Sequence, residues 1–142
     1  MNRFWRDSLF WLALALGPVA WLIIAITISP VATGFPSPEI LFWAVLVLPA
    51  LEEFVFRGTL QPWLISLSAS FAKNKCGLTL ANVTTSILFA AAHLASQSAV
   101  WAALIFMPSL VFGATRDRYG SIYAPIVLHV FYNAGFIGLF VR

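Results

Sequence analysis

"LPALEEFVFRG", Leu48–Gly58, is the stretch on which the fold turns. Glu52, Glu53 and Arg57 stand within one of the most apolar parts of the chain, where charge is costly. The protein has 142 residues, of which 61% are hydrophobic and only 9% charged, with a mean hydropathy of +0.93. A soluble domain carries about a quarter charged residues. Uncharged apolar runs long enough to cross a bilayer recur along the chain.

Working outward, the pattern predicts an all-α, polytopic membrane helix bundle of about five transmembrane helices. It reads as a single domain over residues 1–142, with its core motifs over 40–133. The first span is expected over 8–29. Its apolar run is too long for a signal-peptide core and shows no small-x-small cleavage site, so it reads as a retained anchor. "PVATGFPSPE", Pro30–Glu39, reads as a turn-rich loop. The second span starts near Ile40. Gly58 and Pro62 argue against a straight continuous helix, because proline cannot donate a backbone hydrogen bond. "PWLISLSASFA" after Gln61 then reads as an interfacial helix or a kinked continuation. "KNKCG" is a loop, the third span covers about 80–95, "SQS" interrupts, the fourth covers about 100–115 with Pro108 inside, "RDRYG" is a polar turn, and the fifth covers about 121–141.

Five spans put the two ends on opposite faces. Arg3, Arg6, Lys73, Lys75, Arg116 and Arg118 then share the N-terminal side, leaving Arg142 opposite. The positive-inside rule makes that side cytoplasmic. The same placement accounts for the sequence pI near 9.5 without a basic stripe, so no nucleic-acid partner is expected. The expected setting is the lipid bilayer of a prokaryotic inner membrane. Cys76 is the single cysteine, which excludes an internal disulfide and a cysteine metal cluster. Oligomeric state is not legible.

Six ionisable or strongly polar residues are expected inside spans: Glu52, Glu53, Arg57, His93, His129 and Asn133. Each, if charged and unpaired at mid-membrane, costs roughly 2.5–3.5 kcal/mol or more. Glu53 and Arg57 are four apart and share a helix face, so they can pair. Glu52 points about 100° away and is left for another task. A partly desolvated carboxylate tends toward a raised pKa, which suits a general base. A buried ionic lock is the structural alternative for this cluster. His129 and Asn133 also share one face, as two donors for an oxyanion or as interhelical glue. His93 taken alone reads as a structural histidine, and Ala90, Ala91 and Ala92 beside it would let another backbone approach closely. At about 1.5 Å per residue, Glu52 lies about 18 Å from the outer start of its span and His129 about 12 Å from the cytoplasmic start of the last, the same level in a core of about 30 Å.

These residues resemble a known pattern. "EEFVFR" is similar to the E-E-x-x-x-R motif of the CPBP intramembrane protease family, also called the CAAX prenyl endopeptidase or Abi family. "FAAAH" is similar to its F-x-x-x-H motif and "HVFYN" to its H-x-x-x-N motif, in the same order. The resemblance covers about 40–133 and describes a minimal-length member. It implies an intramembrane endopeptidase of glutamic type that acts on a membrane-anchored protein or peptide. Glu52 and His93 would activate water, His129 and Asn133 would stabilise the oxyanion, and Glu53 and Arg57 would support the site. No metal is expected, since the chain has neither H-E-x-x-H nor cysteine ligands. Zinc is the alternative for a Glu/His/His/Asn set. The competing functions are a catalytically silent membrane scaffold or immunity protein, and a small carrier using Glu52 and the histidines as a proton relay. The carrier lacks the paired repeats that such proteins usually show.

Overall fold

The computed structural model describes residues 3–27, 32–75 and 77–141. The expected end of the first span at Ser29, the loop start at Pro30, Cys76 and Arg142 lie outside them. Among the described residues, three helices are long and apolar enough to cross a membrane: Ser8–Thr27, Ala99–Tyr119 and Tyr123–Phe140. A shorter apolar helix spans Leu80–His93. The remaining helical run covers residues 38–67, begins where the Ser37 hydroxyl accepts from the Ile40 N–H, and contains no break. A capping serine followed at once by proline is a strong helix start.

Gly58 and Pro62 do not stop this run; they accompany a change of register inside it. Two stretches, Leu41–Val47 and Phe54–Leu60, are π-helical and flank the α-helical Leu48–Glu53. π turns inside α-helices are rare and concentrate at functional sites. After Pro62 the helix continues through Gln61–Leu67, breaks at the extended Ser68, and is followed by a short helix, Ala69–Ala72. Within the stretch expected as a loop, Asn74–Lys75 pairs antiparallel with Leu78–Thr79, and Gly77 stands at φ +83°.

Two sequence expectations need correcting. "RDRYG" is not a loop, because the Ala99–Tyr119 helix runs through it and ends on Gly120 in the left-handed conformation, φ +64°. Arg116 and Asp117 have partners on other elements, so the last turn is held in place. Ala91 and Ala92 are exposed, so the close backbone approach suggested by the alanine run is not made by them. Close approach occurs instead at Gly113, where an added Cβ would collide with the Asn82 side chain.

The chain forms two compact units, residues 1–51 with 126–142, and residues 52–125. In the first, the Ser8–Thr27 helix lies along Tyr123–Phe140. The Tyr132 hydroxyl donates to the Ala13 carbonyl, Trp21 covers Gly135, and Ala32 N–H donates to the Leu139 carbonyl. These pairs climb together, so the two segments run parallel. In the second unit Arg57 meets Ser109 and Gln61 meets Gly113, again a parallel pair. Thr79 meets Asp117 while Asn82 meets Leu110, which makes Leu80–His93 antiparallel to Ala99–Tyr119. Within each unit the directions are those of a chain that alternates across a bilayer.

Candidate active site

Glu53 and Arg57 meet as their spacing requires. Arg57 Nη1 donates to Glu53 Oε1 at 3.3 Å, and both side chains are fully buried. Arg57 Nη2 reaches the Ser109 carbonyl at 2.9 Å and the Ser109 hydroxyl at 2.5 Å. The guanidinium carbon lies 4.6 Å from the Phe89 ring centroid and 5.7 Å from that of Phe112. An arginine bonded to a carboxylate and boxed by aromatic rings is a strong, directional joint between helices.

The joint continues as a polar seam. Gln61 Nε2 donates to the Gly113 carbonyl at 3.1 Å and to Asp117 Oδ1 at 2.7 Å. Asp117 Oδ2 accepts from the Thr79 hydroxyl at 2.6 Å, and Thr79 in turn accepts the Asn82 N–H and caps the next helix. Asn82 donates to the Leu110 carbonyl and accepts from Ser86. Sequence reading missed Gln61, Asn82, Ser109 and Asp117. A signal was present: Glu53, Arg57 and Gln61 are spaced by four, and so are Ser109, Gly113 and Asp117. Each set forms one stripe on its helix.

Glu52 differs from its neighbour. It is half-buried where Glu53 is sealed. His93 is also half-buried, and its Nδ1 lies 2.8 Å from the Phe89 carbonyl. A carbonyl oxygen can only accept, so Nδ1 carries a proton, and in a neutral ring the lone pair is then on Nε2. Phe89 therefore serves twice, with its carbonyl on His93 and its ring on Arg57.

Glu52 and His93 belong to the 52–125 unit, and His129 and Asn133 to the other. His129 is buried. Asn133 Nδ2 donates to the Ala44 carbonyl at 2.9 Å. The structure thus brings Glu53 and Arg57 together directly and gives His93 and Asn133 defined main-chain partners. Among the described residues, no group of three or more His, Cys, Asp or Glu side chains is disposed to hold a metal ion.

A helical membrane protein with a buried Glu–Arg joint, and with histidines and an asparagine on later helices, is the class that fold and site define. The family model for Rce1-like proteins, described as type II CAAX prenyl endopeptidase Rce1-like, matches residues 35–135. The chain belongs to this family, whose members are CAAX-type intramembrane endopeptidases. The matched span contains all three motifs and every candidate site residue. No curated protein and no solved structure matches the chain.

Proposed function

We propose that this protein is an intramembrane endopeptidase that hydrolyses a peptide bond near the C-terminal end of a membrane-associated protein or peptide. Glu52 takes a proton from water, assisted by the Nε2 lone pair of His93, and the resulting hydroxide attacks the scissile carbonyl. His129 and Asn133 donate to the oxyanion that forms. The proton then passes to the leaving amine, and the carboxylate is restored. Glu53 and Arg57 hold the helix that carries Glu52 and take no part in the proton transfers. The mechanism runs without a metal, a reading that rests on the absence of H-E-x-x-H and thiolate ligands from the sequence. The basic residues near the ends of the helices support a cytoplasmic N-terminus.

The observation that carries this reading is the contrast between adjacent carboxylates. Glu53 is sealed against Arg57, and Glu52, next to it, is only half-buried. The reading is tested by purified protein in detergent with a fluorogenic CAAX peptide bearing a prenylated cysteine. Cleavage should persist in strong chelator and vanish in Glu52→Gln. Loss on chelation with recovery on adding zinc would point to metal-activated water instead.

One observation favours a second role for Asn133. Its bond to Ala44 joins two helices, as interhelical glue does. An asparagine amide has two N–H groups, so a single residue can join helices through one and face the reaction with the other.

A further inference from the structure

In the first π stretch, the Leu48 N–H donates to the Trp43 carbonyl. The next carbonyl along, that of Ala44, would take its donor from residue 49 in the same register. That residue is Pro49, which has no N–H. Leu48, the donor an α register would use, is already committed. Ala44 is left with a carbonyl that the helix cannot serve, at a depth where water cannot stand in cheaply. Asn133 Nδ2 fills the gap at 2.9 Å.

The same chemistry recurs later in the run. The Gln61 N–H donates to the Phe56 carbonyl. The next carbonyl is that of Arg57, and its donor would be Pro62, which again has none. Arg116 Nε fills that gap at 2.9 Å. A proline follows each π stretch two residues past its end, and each orphaned carbonyl receives a side chain from another helix.

We propose that Pro49 is a positioning residue for Asn133. By withholding its N–H, it keeps the Ala44 carbonyl open as an anchor for one amide N–H of Asn133, so that the other is presented in a fixed direction. This rests on the reading of Asn133 as an oxyanion donor. Replacing Pro49 by a residue with an N–H closes the helix ladder and competes for the anchor.

The test uses the full chain in detergent micelles, with asparagine ¹⁵N-labelled and the Asn133 amide pair assigned by its loss in Asn133→Ala. In the unsubstituted protein one Asn133 amide proton should exchange slowly and the other quickly; fast exchange of both would overturn the proposal even if no variant folds. In Pro49→Ala the amide pair should shift. Cleavage of the prenylated CAAX peptide should fall in kcat by about tenfold or more, with KM held within about twofold. The melting temperature should stay level or rise. Pro49→Ala combined with Asn133→Ala should be no slower than Asn133→Ala alone, since both remove one interaction. An unmoved amide pair, or losses that add, would overturn it. If Asn133→Ala itself left kcat unchanged, the oxyanion reading would fail separately, and the amide shift in Pro49→Ala would still decide the positioning claim.

Discussion

The 38–67 run contains the same backbone irregularity twice, and the two copies are put to different ends. At Phe54–Leu60 the orphaned Arg57 carbonyl is met by Arg116, and the Arg57 side chain is sealed among Glu53, Ser109 and three phenylalanine rings. At Leu41–Val47 the orphaned Ala44 carbonyl is met by Asn133, which stays half-buried and keeps a second N–H. A proline inside a membrane helix removes one hydrogen bond, and what replaces it decides the result. A long cation ties a structural joint, whereas a short amide meets the carbonyl with one N–H and keeps another.

Breaking the structural copy should have the largest effect on stability. Arg57→Ala leaves Glu53 as a buried charge without its partner, which costs about 3–5 kcal/mol. Thermal unfolding in detergent should show a large fall in melting temperature, and activity should go with it. A fall no larger than that of a surface substitution would remove Arg57 from the role of joint. Gly113→Ala should come next. The new methyl collides with Asn82, whose amide is held by Leu110 and Ser86 and cannot easily move, so overpacking of about 1–3 kcal/mol is expected. Asp117→Ala strips a partner from Gln61 and from Thr79 and should cost about 1–3 kcal/mol. The smallest effect is expected at Arg116→Met. It orphans one carbonyl at the helix end for about 1–2 kcal/mol, with cleavage retained in the folded fraction. A kcat collapse in Arg116→Met at an unchanged melting temperature would blur the line between the two copies.

Much of this was legible in the sequence, though unevenly. The Glu53–Arg57 pair follows from spacing alone, because four residues bring side chains onto one face of an α-helix. The membrane class follows from composition. The seam partners were not legible. Gln61 and Asp117 look like loop residues beside Pro62 and "RDRY", and only the parallel packing of two particular helices brings them together. Their four-residue spacing was visible, but spacing does not say which stripe meets which. Pro62 was readable as a lost donor, and the π register that accommodates it was not, since "FVFRGTL" has no local feature that separates π from α. The role of Asn133 depends on the same invisible register at Pro49. For His93 the residue type was legible, and the bond to Phe89 added that Nδ1 holds a proton.

The division of labour between the two adjacent carboxylates is open to a paired measurement. Thermal unfolding and peptide cleavage are recorded for Glu52→Gln and Glu53→Gln side by side. Glu52→Gln should unfold within a few degrees of the unsubstituted protein, at about or above its melting temperature, and show no cleavage, because functional groups are often held at a cost to stability. Glu53→Gln should melt well below it, because a neutral amide no longer balances the buried Arg57. A destabilised Glu52→Gln beside a Glu53→Gln that is stable yet inactive would contradict the account and exchange the two roles.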